Sequence, residues 1–395
     1  MPKLVLYFRE TGSELHSGMT LQIMNDYGHL SNLHTRVVVP IVYDNAAARA
    51  ALEKYIRVFE RLELLFIRQR IKAIRFVFIF FAFLALIRTS KERCVLVLRE
   101  RRHLFSARIL RLIFRIPIVS ELHEGGLPFR EQKKHHRAFQ RFLDSVDGIV
   151  FTNFSQHQYL ETNGYGVTPK SIVLPNGVDT RKFSQAKAAP KDSAHVFVTY
   201  TGQFTSWKNI PLLFESLAHL PPRFRLRIAG GKVLEDDSRS YIAELEKKFA
   251  VEGRVEYLGF VHPNELVARA VNGSSVLVLP LGEGLVARFA TSPMKLVEYM
   301  ATPIPVVAVA HPSVTSLVGP DTVHLAQMDA KDFANAIREA VGEEPEAQQR
   351  RVKRTNLIAK QYDHIERARK YDSWLQEIID DLPVRSTKRA GSEGP

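Results

Sequence analysis

The chain is short of several things, and each shortage narrows what it can be. Its 395 residues include one cysteine, Cys94, so no internal disulfide can form and a reducing compartment is expected. A membrane-spanning helix takes about 20 apolar residues, and the run FVFIFFAFLALI, Phe76 to Ile87, has only twelve, between Arg75 and Arg88. The opening run LVLYF is cut by Arg9 and Glu10, which predicts a first strand rather than a secretory leader. The glycine-containing loop after that run does not match GxGxxG. No Asp-x-Asp motif follows an expected strand; Asp236-Asp237 falls in an expected loop after Gly231. No repeat of solenoid period is present.

Acidic residues are scarce in one region. Between Arg61 and Arg137 there are 18 Lys/Arg against 6 Asp/Glu, a local net charge of +12 in a chain whose total is +13. The Phe-rich run inside that window is expected to be a buried helix. The surrounding charge suits an anionic membrane surface. A nucleic-acid partner is not expected, because no binding motif accompanies the charge.

Apolar residues make up 45% of the chain, ample for real cores. They fall in short β-branched runs: KLVLYF, RVVVPIV, RCVLVL, IPIVSEL, GIVFTN and SIVLPNG, then VFVTYTG, FRLRIAG, RVEYLGF, SVLVLP, PVVAVA and DTVHLA. Such strands, alternating with helical patterns, mean parallel sheets covered on both faces. Twelve strands exceed one comfortable sheet, so the expected fold class is α/β with two Rossmann-like domains facing a central cleft. The polar stretch Thr180 to His195 marks the break, with residues 1–185 forming the first domain and 186–362 the second. A long helical stretch from about Ala347 to Asp381 follows, its part at about 363–382 packing back onto the first domain, and 384–395 read as a disordered tail.

Ligands of such folds sit beyond the carboxyl ends of the strands, so the residues there are the candidates. Gly12 and Gly18 bracket a loop before a helix starting near Met19; it is an ordinary turn or a cradle for a phosphate or sugar. His123, in ELHEGG, directly follows a strand and faces the cleft mouth, where it could donate to a reacting oxygen or a sugar hydroxyl, or could be structural. Lys208 starts a helix after the strand ending at Gly202, a placement suited to an anionic ligand. Gly230-Gly231 end another strand and permit close backbone approach. In TSPMKLVEYMA, Ser292 is the expected N-cap and Pro293 the first helical residue. The amides of Met294 and Lys295, with the Lys295 charge, suit a diphosphate, and Glu298 on the same face suits a pair of ribose hydroxyls. The bland alternative is a Lys/Glu pair on a solvated face.

Together these motifs resemble the glycosyltransferase family 4 enzymes, retaining transferases of GT-B fold. LPNGVDTRKF resembles the family's interdomain signature, TGQFTSWKN its donor-phosphate loop, LRIAGG its glycine-ended strand and SPMKLVEYMATPIPVV its donor-binding helix. The likeness covers most of the second domain and the end of the first. It implies a nucleoside diphosphate sugar as donor substrate, a glycan or lipid-linked acceptor as in bacterial surface polysaccharide assembly, and no cofactor or metal. It implies that Lys208 binds the diphosphate and Glu298 the ribose, and that Thr291, Ser292, Pro293 and Met294 take the distal phosphate with Lys295 nearby. His123 would stand beside the transferred sugar, and Gly12, Ser13, Gly18 and Glu124 would line the acceptor side. Two positions depart from the family. Gln203 stands where an Arg is common, and Ala290 where a Glu is common, with Glu283 near enough to substitute. The site is thus expected to include Gly202, Gln203, Gly230, Gly231 and Glu283. A cytoplasmic protein, peripheral on the inner membrane face, fits these expectations. The alternatives are a nucleotide-sugar epimerase or hydrolase on the same scaffold, and a non-catalytic membrane-associated binding protein.

Overall fold

The computed structural model describes residues 3–9, 11–12, 18–43, 46–68, 72–99, 101–123, 133–167, 170–231 and 235–381. Ser13, Glu124 and the tail 384–395 lie outside the described residues. The first sheet holds β1 (Lys3–Phe8), β2 (Thr11–Gly12), β3 (Thr35–Tyr43), β4 (Leu62–Arg68), β5 (Arg93–Leu98), β6 (Ile118–Leu122), β7 (Gly148–Phe151) and β8 (Ser171–Val173). The second holds β9 (Val196–Gln203), β10 (Phe224–Gly231), β11 (Val255–Tyr257), β12 (Val276–Leu279), β13 (Val306–Val309) and β14 (His324–Ala326). Every pairing is parallel. The first sheet runs β4-β3-β1-β5-β6-β7-β8, with β2 on the same edge of β3 as β1, and the second runs β11-β10-β9-β12-β13-β14.

The twelve expected runs all contain strands. β2 and β4 were not anticipated. The sequence of β4, LELLFIR, is rich in Leu, Glu and Arg, which favour helix locally; its place at the sheet edge beside β3 decides otherwise.

β1 shows why the first sheet is covered twice. Leu4, Leu6 and Phe8 point to one face, against Ile79, Phe83, Ala107 and Phe139. Val5 and Tyr7 point to the other, against Met24, Tyr27, Tyr371 and Trp374. The second sheet has its own core, in which Val198, Leu226, Leu277 and Val307 meet Leu213, Leu296 and Phe333. Val178, Phe183 and Ala186 already belong to that second core.

Three local expectations change. The Phe-rich helix, Lys72–Thr89, is buried along Arg75, Ile79, Phe83 and Ile87, while Val77, Phe78 and Phe81 are exposed, because a helix lying on one sheet face can bury only one stripe. The C-terminal stretch is two helices, Pro345–Lys360 and His364–Asp380. The second is started afresh by Asp363, whose side chain accepts from the Ile365 amide at 3.0 Å; it packs against the first sheet through Tyr371, Trp374, Leu375 and Ile378. Asp236 and Asp237 lie in the helix Glu235–Phe249, not in a loop.

Candidate active site

The second-domain wall of the cleft is shaped first by backbone. Gly202 and Gly230 are register partners at the carboxyl ends of β9 and β10. Gly230 has φ 126°, and a Cβ there would overlap the Gly202 carbonyl, so this position requires glycine. The opening leaves room for Lys208, whose Nζ lies beside Gly202 and 5.1 Å from the Trp207 ring centroid. Lys208 ends a 3-10 turn, Ser206–Lys208, rather than starting a helix. Asn209 follows in the left-handed region, φ 43° and ψ 52°, which asparagine tolerates, and the helix begins at Ile210. Gln203 is exposed at the end of β9, with its carbonyl accepting from the Tyr200 hydroxyl at 3.1 Å. Gly231 ends β10 beside it.

The segment around SPMK is built differently from the expectation. The helix is Met294–Met300, and Pro293 occupies the cap position without a side-chain cap. Ser292 does not cap; its Oγ accepts from the Asn176 amide at 3.1 Å. The Thr291 amide donates to Val286 and the Met294 amide to Ser292. At most the Ser292 and Lys295 amides remain on this turn for an anion. Half-buried Lys295 and buried Glu298 form an ion pair at 2.6 Å on the same face. Lys182, absent from the sequence expectations, stands close to both. Burial pushes its pKa down, Glu298 and Asp179 pull it up, and the Lys295 charge pushes it down again. Its ammonium donates to the Pro263 carbonyl. Glu298 is therefore paired by Lys295 with the Lys182 charge nearby, so its carboxylate is compensated at a place where a diphosphate would otherwise be repelled. Tyr299 ties this helix to β9, its hydroxyl accepting from the Thr201 amide at 2.8 Å.

The first-domain wall is a buried charged network. The carboxyl ends of β1, β5 and β6 bring Tyr7, Arg99, Glu121 and His123 together. Glu121 is buried, and its Oε2 accepts from His123 Nε2 at 3.3 Å. Arg367, from the C-terminal helix, stands 3.7 Å from the other oxygen of Glu121 and 3.4 Å from Asp26. Asp26 also accepts from His364 Nδ1 at 2.9 Å. Burial would raise the Asp26 pKa, but Arg367 and His364 outweigh it and hold it at about 2. For Glu121 too, burial is outweighed by the His123 hydrogen bond and by the charges of Arg367 and Arg99, and the net shift is downward. Burial and the Arg99 charge press His123 down to about 4, against the pull of Glu121. His123 is thus a neutral imidazole that donates from Nε2. Nothing in the sequence pattern singled out Asp26, Arg99, His364 or Arg367. They are polar residues on otherwise ordinary helices and strand ends, and only the fold gathers them.

The same network holds the chain where it crosses between domains. Asp26 accepts from the Gly177 amide at 3.3 Å, and Arg367 Nε donates to the Pro175 carbonyl at 3.0 Å. A Cβ on Gly177 would collide with His364 and Asp26, so Asn176-Gly177 is more than a turn. The returning chain runs beside the outgoing one: Val178 bridges in parallel to Asp363, its amide donating to Tyr362 at 3.0 Å. A second seam joins the start of the helix Phe154–Thr162 to the loop before Ser292. Asn153 donates to the Thr291 and Ser313 carbonyls at 2.7 and 2.9 Å, Ser155 to Phe289 at 2.9 Å and Gln156 to Ala290 at 2.7 Å. Ala290 is fully buried there and packs with the first-domain core. Glu283 is exposed, in a loop anchored by the Gly282 amide on Trp207 and by His311 Nε2 on the Gly282 carbonyl, each at 2.9 Å. Gly12 forms part of β2, and Gly18 opens the helix Gly18–Ser31.

Two Rossmann-like domains that share a hinge, with glycine-ended strands on one wall, define a GT-B fold. Residues 195–343, within the second domain, match the family model of glycosyl transferases group 1. The Anabaena protein HepE, in a complex with UDP, superposes with a TM-score of 0.73 at 16% identity, over 95% of this chain and 100% of that one. Sucrose-phosphate synthase from Thermosynechococcus elongatus gives 0.70 at 16% identity over 96% and 100%, and the lipopolysaccharide outer core galactosyltransferase WaaB gives 0.68 at 17% over 95% and 99%. No curated protein matches by sequence.

Proposed function

We propose that this protein is a retaining, metal-independent glycosyltransferase of family 4 that moves a sugar from a nucleoside diphosphate sugar to a glycan or lipid-linked acceptor, in the assembly of a bacterial surface polysaccharide. One observation carries the reading. In the domain matched by the group 1 model, Lys208 stands beside Gly202 at the end of β9, and Tyr299 ties to the same strand the helix that carries buried Glu298 and its partner Lys295. The lysines neutralise the departing diphosphate, and Glu298 accepts from the ribose hydroxyls. His123, neutral and with its Nε2–H given to Glu121, offers Nδ1 as an acceptor to a hydroxyl of the reacting sugar from the opposite wall. The HepE complexes with UDP and with UDP-glucose support a donor of this kind.

The test is a saturation-transfer NMR screen of a nucleotide-sugar panel, followed by product analysis with and without acceptor. Donor binding, transfer without inversion at the anomeric carbon, and full activity in EDTA are expected. Activity lost in EDTA and restored by magnesium would refute the metal-free part. A second reading, a non-catalytic sugar-nucleotide-binding protein, is favoured by the burial of Ala290 where a glutamate is common. It predicts binding with no product for any acceptor.

A further inference from the structure

Three helices cover one face of the first sheet side by side: Lys72–Thr89, Leu104–Phe114 and Lys133–Leu143. Arg101, just before the second, lies over Phe139 and Phe142 of the third, at 5.2 and 6.0 Å from the ring centroids. Together the three helices contain nine Lys/Arg and no Asp or Glu. The helices on the opposite face, Gly18–Ser31, Ala46–Ile56 and His364–Asp380, carry six acidic residues against five basic ones. The outer surface of the basic layer is also apolar. Phe81 is 59% exposed, Phe105 75% and Leu112 84%, with Val77, Phe78 and Ile113 beside them on the same helices. The spacing sets a stripe on each helix: Phe78, Phe81 and Arg88 on the first, and Phe105, Arg108 and Leu112 on the second. Arg88, Arg108, Arg115, Arg137 and Arg141 are all exposed. A water-facing surface does not ordinarily gather large aromatic and aliphatic side chains among arginines whose helices carry no acidic residue. No helix among the described residues is long and apolar enough to cross a membrane.

We propose that this face docks peripherally on an anionic lipid bilayer, with Phe78, Phe81, Phe105 and Leu112 entering the headgroup boundary and the arginines meeting lipid phosphates. Charge decides the occupant. A protein partner would have to present acidic residues to the whole layer, whereas an anionic leaflet offers them everywhere, and a second copy of the same basic face would be repelled. The first two helices, Lys72–Thr89 and Leu104–Phe114, begin soon after the carboxyl ends of β4 and β5, so the docked face borders the cleft. A lipid-linked acceptor would then enter from the bilayer side; that consequence rests on the proposed transferase function, whereas docking itself does not.

The test is co-sedimentation of the full-length protein with vesicles of phosphatidylcholine alone or with about one third phosphatidylglycerol. Binding is expected only to the anionic vesicles, weakening steeply with salt. The exposed-site variants F81E and L112E should each abolish insertion, and R88Q and R108Q should each lower partitioning about fivefold, with thermal midpoint and nucleotide-sugar binding unchanged. Equal binding to neutral vesicles, no binding to either, or binding untouched by all four variants would overturn the proposal. So would a sedimentation-velocity dimer that these variants dissolve without any vesicle binding. Vesicle binding by a protein that binds no nucleotide sugar would uphold docking and sink the transferase reading alone.

Discussion

The two walls of the cleft are made by different means. The second-domain wall is shaped by main chain: Gly230 must lack a Cβ, Asn209 re-aims the chain after Lys208, and Tyr299 pins the Met294 helix to β9. The first-domain wall is held by buried charge, with Asp26, Glu121 and Arg367 all nearly inaccessible and tied to His123 and to Gly177. A wall set by main chain tolerates no added atom. A wall set by charge tolerates no lost partner.

The sharpest way to break the contrast is Arg367→Met. Removing one partner from a buried ion network costs about 3–5 kcal/mol, and the urea midpoint should fall accordingly. Adding Asp26→Asn should recover part of the loss, because one stranded charge is then gone; a double variant no more stable than the single would mean the network is not coupled. Next comes Gly230→Ala, expected to cost about 2–3 kcal/mol through strain at positive φ and the Gly202 clash. It should also weaken donor binding, and a normal midpoint would place the wall's shape elsewhere. A smaller effect is expected of Glu298→Gln: donor KM rising about tenfold, or about 1.4 kcal/mol, with stability little changed. Unchanged kinetics would remove Glu298 from the ribose role.

The first-domain wall also sets a pH dependence. His123 has a folded pKa of about 4, below its ordinary 6.5, so the unfolded chain takes up that proton first. Stability should be full above about pH 6.5 and fall as pH drops toward 4. Asp26, held at about 2 against an ordinary 3.8, adds a further loss as pH falls from about 4 toward 2. His123→Gln should flatten only the upper part of this decline; denaturation at a series of pH values checks it.

The same contrast explains what the sequence made legible. Runs such as VFVTYTG and FRLRIAG end in glycine, and strand, turn and site are then readable from a few adjacent residues. Asp26 and Arg367 are 341 positions apart, and no spacing rule joins them. The Phe-rich run misled in another way, because composition cannot say which stripe of a helix meets the sheet. At Ser292 the expected cap chemistry was sound, but Asn176 from the hinge competes for the hydroxyl and wins. The departure at Ala290 was readable only through the family resemblance, whereas its enclosure against the first core depends on Gln156, a residue of no distinctive motif.

The paired crossing at Val178 and Asp363 has a mechanical consequence. One covalent thread between two bodies acts as a swivel, leaving twist and bend equally easy. Two threads laced side by side act as a ribbon, which flexes readily across its width and resists torsion. Any movement between the two domains is therefore expected to bend across that ribbon rather than twist, so that the Gly230 wall and the His123 wall would part and meet again in the same alignment.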